Sequence, residues 1–177
     1  MTLDELGPRI AIMGLSNAGK STLAVAIADA QGIPAVHLDR LHHLPDTDWV
    51  PRPVEEFAAL HQAAIGQPAW VIEGNYTQLV PGRLARATGL ILIDIPTRLA
   101  LWRYMRRTLF ERDRRGGLEG APERVKWEMI HHIAVVQRAH RQRYRAIHAA
   151  FPGPKLRCDT VRDLDAFYRA NSLIRQA

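Results

Sequence analysis

Gly14-Leu15-Ser16-Asn17-Ala18-Gly19-Lys20-Ser21 follows the apolar run Ile10-Ala11-Ile12-Met13 and leads into Thr22-Leu23-Ala24-Val25-Ala26-Ile27-Ala28. The eight residues fit the pattern G-x-x-x-x-G-K-[ST]. Their context is the one that pattern requires, a strand-like run before and a helix-forming run after. The chemistry follows from the residue types. Glycines let the backbone curl tightly and turn its N–H groups toward an anion. The helix that Ser21 opens adds the positive end of its dipole. Lys20 supplies a point charge for the β- and γ-phosphates of ATP, and the Ser21 hydroxyl is a ligand for Mg²⁺. Gly14, Ser16, Asn17, Ala18, Gly19, Lys20, Ser21 and Thr22 form the candidate nucleotide-binding set. The bland alternative is a glycine-rich turn that binds nothing, and the strand-then-helix context weighs against it.

The rest of the chain alternates in the same way. Ala35-Val36-His37-Leu38 reads as a second strand ending at Asp39, and Trp70-Val71-Ile72 as a third ending in Glu73-Gly74-Asn75-Tyr76. Leu90-Ile91-Leu92-Ile93-Asp94-Ile95 is the fourth, and Lys155-Leu156-Arg157-Cys158 the fifth. Continuous apolar runs of this kind belong to parallel sheets covered on both faces. Between them, Pro53-x-Glu55-Glu56 predicts a helix to Gly66 with Phe57, Leu60, Ala64 and Ile65 on its buried side. A helical turn is predicted around Leu84-Ala85, and a basic helix from Arg98 to about Arg112 with Thr97 as cap. A long helix runs from Pro122 to about Ala150, and Thr160-x-x-Asp163 caps a closing helix. Strands alternating with helices make an α/β protein whose ligands sit at the carboxyl ends of the strands. Asp39, Glu73 and Asp94 all fall at or near such ends, although Asp94 reads as a strand-end hydrogen-bond acceptor and is left out of the site.

Composition narrows the classes. A chain of 177 residues that is 47% hydrophobic and 24% charged is expected to form one domain, 1–177, with room for a small insertion. Leu90-Ile91-Leu92-Ile93 is far too short to cross a membrane, and the acidic Met1-Thr2-Leu3-Asp4-Glu5 lacks the pattern of a signal peptide. The single cysteine, Cys158, excludes an internal disulfide framework. A cytoplasmic location fits these features. The net charge of +6 raises nucleic acid as a partner, but no recognition motif accompanies it. Lysine occurs only at Lys20, Lys126 and Lys155, so the basicity is almost all arginine.

Among the classes that use such a loop, a GTPase needs [NT]-K-x-D, and no lysine here is followed by aspartate two residues on. A transport ATPase needs a longer domain and a second signature that is missing. A kinase needs an acceptor site and a cationic cover that keeps water from the transferring phosphoryl group. Arginines at 103, 106, 107, 112, 114 and 115 surround the stretch Gly116-Gly117-Leu118-Glu119-Gly120, the composition of such a lid over about 103–122. Arg103 and Arg107 share one helix face at i and i+4. A solvated basic helix surface is the competing reading.

The whole course of the chain resembles adenylate-kinase-like nucleoside and small-molecule kinases. It is most similar to the bacterial DNA-topology-modulation or adenylate kinase-related group. The likeness spans roughly Ile10 to Ala170. It rests on Gly14 to Thr22, His37-Leu38-Asp39 with Trp49, Trp70 to Tyr76, Leu92-Ile93-Asp94-Ile95-Pro96 and Pro122-Glu123-Arg124-Val125-Lys126-Trp127-Glu128. The resemblance implies a P-loop NTPase three-layer sandwich, a five-stranded parallel sheet ordered 2-3-1-4-5 with helices on both faces and an arginine-rich helical lid. It implies an Mg²⁺- and ATP-dependent phosphotransferase acting on a nucleotide or small hydroxylated molecule. Residue by residue, it places Glu73 beside the loop as a holder of Mg²⁺ through water. Arg103 and Arg107 fall on the lid arginines, and Asp39 on an acceptor-binding acid that takes a hydroxyl proton. One departure matters. The group's acceptor-phosphate arginine has no counterpart in Asn75-Tyr76-Thr77, which leaves Arg83 or Arg86 as substitutes, or an unphosphorylated acceptor. The alternative from the same resemblance is an ATP-binding regulatory protein affecting DNA topology or gene expression, which a salt titration of DNA binding tests.

Overall fold

The computed structural model describes residues 1–100, 102, 105 and 137–175. In chain order the elements are α1 (Leu3–Leu6), β1 (Arg9–Gly14), α2 (Lys20–Gln31), β2 (Ala35–His37), α3 (Leu38–His42), α4 (Val54–Gly66), β3 (Trp70–Glu73), α5 (Val80–Arg86), β4 (Gly89–Ile93), α6 (Gln137–Ala150), β5 (Lys155–Cys158) and α7 (Val161–Ala170). The five strands form one all-parallel sheet, ordered β2-β3-β1-β4-β5. This is the three-layer α/β arrangement of the P-loop NTPases.

Strand pleating explains why both faces are covered. Ile10 and Ile12 of β1, Val71 of β3, and Ile91 and Ile93 of β4 point into one core, under Leu3, Leu6, Leu23, Ile27, Leu164 and Phe167. Their alternates, Ala11, Met13, Trp70, Ile72, Leu90 and Leu92, point into the other, with Leu38, Ile65, Val80 and Tyr144. With side chains alternating at period 2, only a strand apolar at every position can serve both layers. The pairing then aligns the carboxyl ends: Ile12 lies opposite Glu73, His37 opposite Glu73, and Gly14 opposite Ile93.

The structure departs from the sequence reading at several places. β2 stops at His37, and Leu38 begins a short helix, because its fully buried side chain packs under the turn at Gly74. The short helix α1 was not expected, although Thr2 and Glu5 form a complete capping box. On α4 the buried residues are Phe57, His61 and Ile65, with Leu60 and Ala64 only half-buried. Positions i, i+4 and i+8 share a face whatever their polarity. Burial, and then the charge of Arg83, push the His61 pKa down to about 4, so the ring sits there neutral. Trp70 is fully buried in the core, whereas Trp102 is 59% exposed. Thr160 and Asp163 form the predicted capping box. Of the long helix from Pro122, the portion Gln137–Ala150 lies within the described residues. Among the described residues, no helix is long and apolar enough to cross a membrane.

Candidate active site

The loop after β1 begins with a close approach that only glycine permits. Gly14 has φ 149°, and a Cβ there would sit 2.3 Å from the Ile93 carbonyl oxygen. The chain turns through Asn17 (φ 61°) and Gly19 (φ 99°), and α2 starts at Lys20. Gly19 is the N-cap and offers no side chain to the first-turn amides of α2, so the positive end of this 12-residue helix faces the loop with its N–H groups uncapped by a side chain. Lys20 Nζ donates to the Leu15 carbonyl at 3.0 Å, arching over the loop.

Glu73 ends β3 directly beside this loop. It is 3% exposed, and its Oε1 accepts a hydrogen bond from Ser21 Oγ at 2.9 Å and lies 3.0 Å from His37 Nδ1. Burial pushes its pKa up. The His37 hydrogen bond, the charge of Lys20 and the Ser21 hydroxyl more than offset that, so the carboxyl is held below its ordinary value. A buried carboxylate and a hydroxyl on the same edge of a phosphate loop are the hard oxygen donors that Mg²⁺ prefers, so these residues fit the ion.

Asp39 lies in the first turn of α3, two residues beyond the end of β2 and so on the same edge of the sheet. Its Oδ1 accepts from the Tyr76 hydroxyl at 2.8 Å, while no described residue donates to its Oδ2. Burial, then the Asp39 charge, raise the Tyr76 pKa, so the phenol keeps its proton and remains the donor. His42 and Phe57 pack against the Tyr76 ring with centroids 4.8 Å and 5.1 Å away. Burial and the neighbouring His43 lower the His42 pKa, so this wall is neutral near pH 7. The two groups flanking the loop are thus a buried acid beside Ser21 and a half-buried acid with an aromatic wall.

Other residues sit differently from their sequence reading. Arg83 is 0% exposed and turned inward, donating Nη2 to the carbonyls of Gly74 at 3.0 Å and Asn75 at 3.1 Å. As placed, it does not present its charge to an acceptor. Arg86 is exposed, and its Nη2 reaches the Gly66 carbonyl at 3.5 Å. Arg103, Arg107 and the lid stretch lie outside the described residues.

Three residues were missed. Asn75 brackets Gly14, accepting from its N–H at 3.2 Å and donating Nδ2 to its carbonyl at 2.9 Å. Arg141 and Arg145 of α6 converge on Asp94, which is 3% exposed. Arg141 Nε binds Oδ1, Arg145 Nε lies 2.5 Å from Oδ2, and Arg141 Nη2 also donates to the carbonyls of Asp94 and Ile95 at 2.7 and 2.6 Å. The only sequence signal was two arginines at i and i+4. Asp94 is therefore the acceptor its strand-end position suggested, and its partners tie α6 to β4. Replacing Asp94 with alanine removes the buried carboxylate from two guanidinium groups that solvent still reaches, Arg141 at 22% and Arg145 at 46% side-chain exposure. It is expected to destabilise the fold by about 1.5–3 kcal/mol, read by urea unfolding.

No protein-family model matches the chain, and no curated protein matches it in sequence. Solved structures do resemble it. A sugar kinase from Janibacter sp. HTCC2649 superposes with a TM-score of 0.52 at 16% identity, covering 91% of this chain and 90% of that one. A gluconokinase from Sinorhizobium meliloti 1021 gives the same TM-score and identity over 93% of this chain and 89% of that one. At that identity the likeness establishes the fold these kinases share.

Proposed function

We propose that this chain is an ATP-dependent phosphotransferase whose acceptor is a small, unphosphorylated, hydroxylated molecule. The observation that carries the reading is the Ser21–Glu73 contact of 2.9 Å at the mouth of a loop whose backbone amides and Lys20 suit a polyphosphate. The amides of residues 14–22 bind the phosphates, and Lys20 reaches the β- and γ-groups. Ser21 and Glu73 hold Mg²⁺, Glu73 through water. The bound ion supplies charge neutralisation on the phosphate oxygens. Asp39 accepts the proton of the acceptor hydroxyl on Oδ2, while Tyr76 holds Oδ1 and so fixes the carboxylate plane. Arg103 and Arg107, on a lid of about 103–122 within a single domain 1–177, stabilise charge on the transferring group and exclude water.

An unphosphorylated acceptor is favoured by Arg83. Of the two arginines that the sequence left as substitutes, Arg83 is buried and bound to backbone and Arg86 reaches the Gly66 carbonyl, and the wall beside the Asp39 carboxylate is made of neutral rings. The names of the two similar structures, a sugar kinase and a gluconokinase, point the same way.

The test is a transfer screen with γ-labelled ATP and Mg²⁺ against sugars, polyols, hydroxy acids, nucleosides and nucleoside monophosphates. Label is expected on an unphosphorylated hydroxyl compound. Label on a nucleoside monophosphate alone overturns the acceptor assignment, and the absence of ATP binding overturns the whole reading.

A further inference from the structure

The candidate site is built on separate elements, yet one four-residue segment touches all of them. Glu73 meets Ser21, Asn75 meets Gly14, and Tyr76 meets Asp39. The segment is held in an unfavourable backbone conformation. Gly74 has φ 129°, and a Cβ there would lie 2.9 Å from Leu38 Cβ. Tyr76 has φ 25°, in the region side-chain-bearing residues avoid. Such a conformation persists only where its surroundings over-determine it.

Two features supply that constraint. The Asn75 carboxamide engages both the N–H and the C=O of Gly14, which fixes the peptide planes on either side of the first loop residue. Glycine at that position has no side chain of its own to set the direction of the amides that follow. Arg83, fully buried, then holds the Gly74 and Asn75 carbonyls with a single nitrogen, while its Nε and Nη1 have no hydrogen-bond partner among the described residues. Burying a guanidinium that incompletely satisfied is costly. An apolar side chain would avoid the cost but would leave both carbonyls without their donor.

We propose that Asn75 is a positioning residue for the phosphate loop and that Arg83 acts through it, as the strut holding the Glu73–Tyr76 segment against that loop. This rests on the reading of the loop as a polyphosphate site. Neither residue touches the nucleotide; both act by keeping the loop amides convergent before it arrives, which is a gain in preorganisation.

The test uses the full chain with Mg²⁺ and mant-ATP, a fluorescent ATP analogue, and with inorganic tripolyphosphate as competitor, which isolates the phosphate share of binding. Asn75→Ala is expected to weaken both ligands about tenfold, consistent with two lost hydrogen bonds, while melting stays within a few degrees of the parent. Arg83→Lys keeps the charge but is one bond shorter, so its nitrogen falls short of the two carbonyls, and should weaken both ligands similarly. In the double variant the losses should fall well short of multiplying, because the two residues act in series. Parental affinity in Asn75→Ala overturns the proposal, as does a loss for mant-ATP without one for tripolyphosphate. Fully multiplicative losses overturn the strut role of Arg83. If Arg83→Lys does not fold, Asn75→Ala alone decides. Failure of the parent chain to bind mant-ATP sinks the nucleotide reading, and this proposal with it, whereas parental binding by Asn75→Ala sinks this proposal alone.

Discussion

Lys20→Ala is expected to abolish measurable ATP binding, a loss of about 100-fold or more, with the fold intact. In the structure the ammonium makes one hydrogen bond, to the Leu15 carbonyl, and the residue is half-exposed, so its removal takes little from the core. In the proposed reading, the same group is the cation that the loop would bring to the β- and γ-phosphates. A charge-assisted hydrogen bond to a phosphate oxygen contributes about 1.5–3 kcal/mol net, and 2.8 kcal/mol corresponds to about 100-fold in affinity. Removing Lys20 also takes away one of the positive charges that lower the Glu73 pKa, after the His37 hydrogen bond. Titration with mant-ATP, alongside a melting curve, measures both effects. An unchanged dissociation constant in a folded variant would remove Lys20, and with it the kinase reading.

Asp39→Asn should spare ATP affinity and cost catalysis. The carboxamide has the size of the carboxylate, and its oxygen can still accept from the Tyr76 hydroxyl, so the aromatic wall of His42, Phe57 and Tyr76 has no reason to repack. In the proposed reading, what it loses is the capacity to take a proton from the acceptor hydroxyl at Oδ2. A positioned general base contributes about 10²–10⁴-fold, and a fall in kcat within that range is the expected outcome with the acceptor that the screen identifies. The readout is the split between parameters: kcat falls, while the KM for ATP stays within a few-fold of the parent. Parental kcat in the asparagine variant would make Asp39 a binding residue at most. A matching loss of ATP affinity would point instead to a structural role for the turn at α3.

The three inner strands were legible because Ile10–Met13, Trp70–Ile72 and Leu90–Ile93 are apolar at every position, and only a sheet with two covered faces asks for that. Ile10, Ala11, Ile12 and Met13 divide two and two between the cores. The tight loop between β1 and α2 was legible for a related reason, since the G-x-x-x-x-G-K-S pattern lies wholly within a few neighbouring residues. Local chemistry also marked both capping boxes, Thr2 with Glu5 and Thr160 with Asp163, although the first was overlooked.

What stayed hidden depended on partners far away in sequence. His61 reads as a polar interruption on α4 until packing shows it facing the core. Arg83 reads as a cation free to meet a substrate, and only the fold turns it onto the Gly74 and Asn75 carbonyls. Arg141 and Arg145 lie 47 and 51 residues from Asp94, and no periodicity links them.

By itself, then, the chain's order of residues determined the alternation of strands and helices and the eight-residue glycine-rich turn from β1 into α2, because those depend on neighbours within a few positions. Only the tertiary structure decided which charges point into the site and which are consumed by the scaffold. That choice turns on distances between segments, which a linear pattern does not encode.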